Sequence, residues 1–289
     1  MAHGRACFSA RGAEDARRRE RGIPSMQRLS DWYDHPEYYE AIFGTDTERE
    51  MDFLLEVGRR YGTGGKRLLE PACGAGRLVA EAASRGQQVV GYDISEKMLA
   101  HARQRLTPAQ RRRVRLYPSR METFHRPELE GQVDLAFNLV STFRYLDSEA
   151  AALAHLEATR RLLKPEGLYV LGFHLTDYGR RKPEHERWVE KLGKDTVVCN
   201  THEGLPERRL RRSEMRNRLR ITGPGKDLLI ETHWYFRTYD LAQARRLFRR
   251  AGLRVLEVFD FDYQVDVPRK RGEIRLDSIF VLQPAKSPA

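Results

Sequence analysis

Four residues in one short stretch have the types and spacing to hold a small molecule: Glu70, Gly74, Gly76 and Asp93, all within "LLEPACGAGRLVAEAASRGQQVVGYDIS" (68–95). Two glycines two positions apart, between an apolar run and a helical pattern, make a turn whose bare backbone can lie against a ligand. After a strand, such a turn often cradles a dinucleotide pyrophosphate in the spacing GxGxxG. Here Val79 stands where the third glycine would be, and Glu70 ends the strand facing the same cavity. A carboxylate there repels a diphosphate and attracts an ammonium or another positive centre. Asp93 follows Gly74 by 19 positions, at the end of the next apolar run. An acid in that place can accept both hydroxyls of a ribose. The chemistry implied is recognition of a phosphate-free nucleoside with a cationic, amino-acid-like tail, terms that S-adenosylmethionine meets.

The elements that must position these residues alternate along the chain. "KRLLE" and "QVVGYD" read as strands separated by a helix whose apolar face is Leu78, Val79, Ala82 and Ala83, with Gly86 placed to end it. Ser95 can cap a further helix that buries Met98, Leu99, Ala102 and Leu106. "VRLYP", "QVDLAFNLV" and "LYVLGFHL" read as three more strands, with a helix over about 147–163 and a turn at "KPEG". Ahead of them, 48–61 reads as a helix, and "SDWYDHPEYYEAIF" as a shorter aromatic one. This alternation predicts a parallel sheet covered by helices on both faces. It breaks near Thr176. "MRNRLRIT" and "DLLIETHWYFR" flank "GPGK" with apolar residues in alternation, which predicts an antiparallel hairpin. "YDLAQARRLFRRAGL" then restores a helix, and "RVLEVFDFDY" and "IRLDSIFVLQ" read as closing strands.

The segments "LLEPACGAGRL", "VVGYDIS", "QVDLAFNLVSTFRYL" and "LLKPEGLYVLGF" resemble, in order and separation, the successive motifs of class I S-adenosylmethionine-dependent methyltransferases of the small-molecule type. The resemblance covers roughly Leu68 to Phe173, plus the closing helix and strands. It implies a Rossmann-like seven-stranded α/β sheet, with an auxiliary antiparallel hairpin or sheet inserted after the fifth strand. It also implies that Glu70, Ala72, Cys73, Gly74 and Gly76 wrap the methionine part of the cofactor. Asp93 matches the ribose acid and Ile94 an apolar neighbour of the adenine, and Met98, on the following helix, is counted with the expected cofactor-binding residues. Arg120 stands where the family usually has an aspartate, so the adenine contact is expected from Met121 and Glu122. Asn138 matches the position beside the methionine moiety.

Methyl transfer from a sulfonium is an in-line displacement with an activated leaving group, so the protein chiefly aligns the acceptor and excludes water. An amine acceptor must be neutral, and a histidine can take its proton. His174, at the end of the fifth strand, and His233, in the hairpin, are the candidates, with Tyr33 beside them. Tyr33, Tyr38, Tyr178 and Trp234 are the candidate acceptor-binding residues. Cys73 reads as a packing residue rather than a nucleophile, since no basic partner is evident. "ERRLRRSEMRNRLR" reads first as a solvated strand face. No HExxH or carboxylate cluster suggests a metal.

The 289-residue chain carries 52 basic and 41 acidic residues, a net +11 that favours an anionic partner. Six arginines against three acids fall in the first 25 residues, leaving 46 against 38 in the remainder. This opening has no apolar core for a secretory signal, and Glu14, Asp15 and Glu20 argue against a transit peptide. It is expected to be disordered, with Met26 a candidate start of the folded protein. The expected division is an arm over 1–25, a cofactor-binding core with a cap helix over 26–175, an inserted lid sheet over 176–238, and closing elements over 239–289. Cys7, Cys73 and Cys199 are too scattered for a disulfide framework or zinc site, so a reducing cytoplasm is the expected setting. No apolar run reaches the roughly 18 residues of a membrane span. A nucleic-acid methyltransferase is the alternative raised by the charge, disfavoured because "NLVS" ends the fourth strand where base-amino methylating enzymes carry N-P-P-aromatic. A non-catalytic cofactor-binding partner subunit is a third reading.

Overall fold

The computed structural model describes residues 27–44, 46–269 and 276–285. The N-terminal arm, Cys7 and Met26 lie outside the described residues. The described chain opens with strand β1 (Gln27–Ser30), a 3-10 turn (Trp32–Asp34), and helices α1 (Pro36–Phe43) and α2 (Thr47–Tyr61). Strand and helix then alternate: β2 (Arg67–Pro71), α3 (Arg77–Ser84), β3 (Gln88–Asp93), α4 (Glu96–Arg105), the short α5 (Pro108–Arg111) and β4 (Val114–Pro118). After β5 (Val133–Asn138) come α6 (Glu149–Leu162) and β6 (Leu163–His174). Four strands follow, β7 (Glu184–Leu192), β8 (Asp195–Glu203), β9 (Arg212–Gly223) and β10 (Lys226–Arg237). Helix α7 (Leu241–Arg250) and strands β11 (Leu253–Phe259) and β12 (Asp277–Pro284) close the chain.

Among the described residues, 44, 46–183, 204–214, 234–269 and 276–285 make one compact unit. Its seven-stranded sheet has the order β11-β12-β6-β5-β2-β3-β4. The strands from β6 to β4 run parallel, and β12 is antiparallel to both β6 and β11. Because strand side chains alternate faces, the sheet feeds two cores. Ala136, Tyr169, Leu171, Phe280 and Leu282 join Leu156, Leu247 and Phe248 of α6 and α7 on one face. Leu135, Phe137, Val170, Ile279 and Val281 join Met51, Leu54, Leu78 and Leu99 of α2, α3 and α4 on the other. The expected caps form: Ser95 Oγ accepts the Met98 N–H at 3.3 Å, and Gly86 takes the left-handed φ of 79° that closes α3. The expected turn at "KPEG" is a bulge within β6. Val133 pairs with Leu163 and Leu135 with Leu168, while a Cβ on Gly167 would lie 2.7 Å from the Val133 carbonyl oxygen.

Residues 27–43, 184–203 and 215–233 make the second unit. Its five-stranded sheet has the order β1-β10-β9-β8-β7, antiparallel across β8 to its neighbours and parallel where β1 joins β10. Val197, Cys199, Leu219, Ile221 and Ile230 are its buried face. The aromatic segment read from sequence divides into the 3-10 turn and α1. There Trp32, Tyr33, Tyr39 and Phe43 stack edge-on or tilted at centroid separations of 4.9 to 5.6 Å. The auxiliary element is a larger sheet than a single hairpin. β7 carries no apolar face of its own, as an edge strand permits, and so left no alternation to read.

Candidate active site

The glycine loop leaves β2 through residues whose backbone is set by their neighbours. Ala72, Gly74 and Gly76 all have left-handed φ, at 50°, 52° and 71°. A Cβ on Gly76 would lie 2.7 Å from the Ala102 Cβ, so this glycine allows α3 to pack on α4. Gly74 has a different reason. No atom lies within 4 Å of where its Cβ would be, so its bare backbone borders open space. Hydrogen bonds hold the loop: Cys73 N–H donates to the Tyr92 carbonyl at 3.0 Å, Gly76 N–H to the Cys73 carbonyl at 2.9 Å, and Gly74 N–H to Asp93 Oδ2 at 2.8 Å.

Asp93 also accepts the Ser95 N–H on Oδ1 at 2.8 Å. Each carboxylate oxygen keeps a second lone pair, so both remain able to accept a hydroxyl. Burial raises the Asp93 pKa, opposed by those backbone donors. Ile94, next in sequence, is 64% exposed, an apolar side chain presented to solvent beside the acid.

Glu70 is the most perturbed carboxylate of the site. It is 8% exposed, and burial pushes its pKa up to about 8 against the pull of Arg77, with Glu50 and Asp93 adding repulsion. Arg77, in the first turn of α3, forms an ion pair with buried Glu50, whose other oxygen accepts the Tyr263 hydroxyl at 3.0 Å. Glu70 Oε2 and Asn138 Oδ1 are buried acceptors without hydrogen-bond partners. Asn138 Nδ2 donates to the Pro71 carbonyl at 2.9 Å, which ties the end of β5 to the end of β2. Two unpaired buried acceptors on adjacent strands cost free energy unless a donor arrives. A ligand ammonium would satisfy both. With the open backbone at Gly74, the two free lone pairs on Asp93 and the exposed Ile94, the residues present fit S-adenosylmethionine.

Other expected cofactor residues fall less simply. Met98 is 1% exposed within the α4 packing and offers a ligand no surface, which corrects the expectation that it lines the site. The Cys73 side chain is likewise buried in the core, its thiol pKa raised well above the usual value by burial, so only its backbone belongs to the loop. Met121 and Glu122 sit in a 3-10 turn (Met121–Thr123). Glu122 Oε1 accepts from Arg120 Nε at 2.5 Å. Burial pushes the Glu122 pKa up, but its own backbone N–H and Arg120 hold it below the usual value. Arg120, standing in place of the expected acid, thus occupies one oxygen of its substitute. Fully buried His155, which sequence reading passed over, fixes this turn. It donates from Nδ1 to the Met121 carbonyl at 3.2 Å and accepts the Tyr169 hydroxyl at Nε2, at 2.8 Å. Burial lowers its pKa to about 4, so the imidazole is neutral.

His174 ends β6, three residues beyond Leu171, the register partner of Asn138. Its side chain is 46% exposed. Nδ1 lies 2.7 Å from Ser141 Oγ, and Nε2 lies 3.5 Å from Asp277 Oδ1. Ser141 Oγ also accepts the His174 backbone N–H at 3.2 Å. The tautomer that suits every partner has Ser141 donating to Nδ1 and Nε2–H facing Asp277. Ser141 reaches this position from a left-handed φ of 55°, and Asp277 from direct pairing opposite His174 across β12 and β6. Neither partner had a local sequence signal: Ser141 lies 33 positions from His174, and antiparallel register brings Asp277 to it from about a hundred positions away. Tyr178 and Trp234 belong to the same unit. The Tyr178 hydroxyl bonds Thr238 Oγ1 at 2.8 Å and Gln243 Oε1 at 3.3 Å, and Trp234 stacks on Tyr145 at 5.8 Å.

Tyr33, Tyr38 and His233 belong to the auxiliary-sheet unit. Tyr33 stands in the aromatic cluster. The buried Tyr38 hydroxyl accepts from Lys226 Nζ at 3.1 Å, and His233 Nε2 lies 3.0 Å from Glu231 Oε1.

Residues 68–167 match the family described as "Methyltransferase domain". A protein named as a methyltransferase from Geobacillus sp. (strain WCH70) is 27% identical over 240 residues, covering 77% of this chain and 88% of that protein. The crystal structure of the sugar N-methyltransferase KedS8 from Streptoalloteichus sp. ATCC 53650 superposes with a TM-score of 0.69 at 17% identity, over 99% of both chains. SAM-bound CalS10 from Micromonospora echinaspora, described as an amino pentose methyltransferase, superposes at 0.61 with 19% identity, over 98% of this chain and 100% of that one. The chain is an S-adenosylmethionine-dependent methyltransferase of the class I fold.

Proposed function

We propose that this methyltransferase acts on a nitrogen or oxygen of a small-molecule acceptor. The observation that carries the reading is the placement of two features on neighbouring strands. The unpaired acceptors Glu70 Oε2 and Asn138 Oδ1 end β2 and β5, and the Ser141–His174–Asp277 group ends β6. S-adenosylmethionine, when bound, supplies an electrophilic methyl group. Glu70, Asn138 and the Gly74 backbone hold the cofactor's amino-acid end, and Asp93 holds its ribose. His174 takes the acceptor's proton on Nδ1 by way of the Ser141 hydroxyl, which passes its own proton to the ring as it receives the acceptor's, and the Asp277 carboxylate stabilises the imidazolium that results. Tyr178 and Trp234 are the acceptor-side residues of this reading in the core. KedS8 and CalS10, both described as acting on sugars, support a small acceptor by matching nearly the whole chain, auxiliary sheet included. Two buried free thiols, Cys73 and Cys199, accord with a reducing cytoplasm.

The test is calorimetric titration with S-adenosylmethionine and S-adenosylhomocysteine, followed by a mass-spectrometric screen of amine, hydroxyl and carboxyl acceptors. Micromolar cofactor binding with methylation of at least one small acceptor is expected. Methylation confined to RNA or DNA would overturn the small-molecule assignment.

A further inference from the structure

Beyond the cofactor cleft, the core unit holds a concentration of guanidinium groups with too few anions. Glu149, the first residue of α6, meets three arginines. Arg211 Nη1 and Arg237 Nη2 each lie 3.8 Å from its Oε2, and Arg250 Nη1 pairs with its Oε1. A separation of 3.8 Å lies within reach of charge attraction but beyond hydrogen-bond length. Arg211 and Arg237 thus share one carboxylate oxygen without bonding it. Both are largely buried, at 17% and 11% exposure, while Glu149 and Arg250 remain open to solvent.

Tyr239 lies beneath them. The Arg211 and Arg237 guanidinium carbons stand 5.2 and 5.9 Å from its ring centroid. Its side chain is 1% exposed, and its hydroxyl faces the Arg237 guanidinium, with its own proton left without an acceptor. Arg237 Nε is a second buried donor without an acceptor. Two other donors are used structurally: Arg237 Nη1 donates to the Asp147 carbonyl at 3.1 Å and Arg211 Nε to the Thr238 carbonyl at 2.9 Å. Helix α6 adds the positive end of a 14-residue dipole. Two donors without acceptors, three guanidinium groups and a helix N-terminus converge on the one carboxylate of Glu149. A donor-rich cluster of this kind is complementary to an oxyanion.

The location joins this cluster to the reaction edge. Arg144 follows the end of β5 by six residues, donating to the Arg237 carbonyl at 3.3 Å and to Ser213 Oγ at 3.2 Å. The Thr176 N–H, two residues past His174, donates to the Tyr239 carbonyl at 2.8 Å. The cluster therefore stands at the carboxyl ends of β5 and β6, the same rim as Asn138 and His174.

We propose that Arg211, Arg237, Tyr239 and the N-terminus of α6 form an oxyanion subsite that holds a carboxylate or phosphate group of the methyl acceptor. The assignment to the acceptor rests on the function proposed above. The binding of an oxyanion does not, so the two can fail separately.

The test titrates the full-length protein with inorganic phosphate and, separately, with acetate, at constant ionic strength, reading thermal stability and binding heat without turnover. Saturable binding of one of the two is expected, and which one binds identifies the group. Arg237→Gln and Arg211→Gln should weaken it at least tenfold, and Tyr239→Phe about threefold. Glu149→Gln, which removes the competing charge, should strengthen it. The exposed Arg112→Gln serves as the control and should leave it unchanged. Arg237→Lys, which keeps the charge but loses Nε, covers the case in which Arg237→Gln fails to fold, and it too should bind more weakly. No saturable response to either anion, equal binding in all folded variants, or an adventitious ion only, held equally by Arg112→Gln and Arg237→Lys, would overturn the proposal. Cofactor titration of the same variants should be unaltered.

Discussion

Gly74 and Asp93 are joined directly: the Gly74 N–H donates to Asp93 Oδ2 at 2.8 Å, tying the glycine loop to the end of the neighbouring strand. The acid that should hold a ribose also shapes the bend that should hold the methionine end. Asp93→Asn would turn an amide nitrogen toward one of two N–H donors, leaving it without an acceptor at a cost of about 1–3 kcal/mol. The expected outcome is a lower melting temperature together with at least tenfold weaker binding of S-adenosylmethionine. Calorimetry and thermal unfolding check both, and unchanged cofactor affinity in a folded variant would contradict the assignment.

Glu70 makes folding and cofactor binding depend on pH in opposite senses. Its folded pKa of about 8 stands above the ordinary 4.5 because burial disfavours the charged form. Below pH 4.5 both folded and unfolded chains hold the proton and the group contributes no pH dependence. Between about pH 4.5 and 8 the unfolded chain releases the proton while the folded chain keeps it, so stability falls as pH rises. Glu70→Gln should flatten that slope, measured as denaturant midpoint against pH. A bound ammonium would favour the ionised carboxylate, so at pH 7 cofactor binding should release a proton and tighten as pH rises toward 8. Calorimetry in PIPES and in Tris reports this as a difference in apparent binding enthalpy, and equal enthalpies would rule it out.

Much of this was open to reading because the signals were local. The glycine spacing, Glu70 at a strand end and Asp93 at the next need only a few residues of context, and the seven-stranded sheet follows from alternating apolar runs. What was hidden depended on register or on charge. β7 lacks an apolar face, so its periodicity could not show it. Asp277 meets His174 only after β12 has been placed beside β6. Met98 stood among the expected cofactor residues, yet the apolar phase of α4, itself legible in the sequence, turns it into the core. His155 reads as a lone histidine on a helix, and its role appears only where its two nitrogens reach Met121 and Tyr169.

Ala72 and Gly76 offer a test of backbone strain within one loop. Ala72 adopts a φ of 50° with a Cβ, a conformation that disfavours an L side chain by roughly 1–2 kcal/mol. Ala72→Gly removes that strain, partly offset by the greater entropy of an unfolded glycine. A net gain of about 0.5–1 kcal/mol is expected from denaturant unfolding. Gly76→Ala should do the reverse and more, because its new Cβ would meet the Ala102 Cβ at 2.7 Å as well as a φ of 71°. A loss of about 2 kcal/mol or more is expected. If both substitutions shift stability in the same direction, the loop conformation described here is wrong.

His174 can be separated from the cofactor cleft by kinetics. Its Nε2 faces Asp277 at 3.5 Å and its Nδ1 faces Ser141 at 2.7 Å, so it is oriented by two partners while keeping half its surface open. A base that removes a proton contributes about 10²-fold or more to rate, and it does so without contributing to cofactor affinity. His174→Ala should therefore lower kcat by about 10²-fold while the dissociation constant for S-adenosylmethionine stays within about twofold. Asp277→Asn keeps the shape but loses the charge that stabilises the imidazolium, so a smaller fall in kcat with little change in KM is expected. Nδ1 is the unprotonated nitrogen of the ring and is reached through the Ser141 hydroxyl, so Ser141→Ala breaks the relay and should also lower kcat. Steady-state rates and cofactor titration on the three variants decide the matter. Normal turnover in His174→Ala, with folding intact, would remove the histidine from the mechanism and leave alignment as the main contribution of the site.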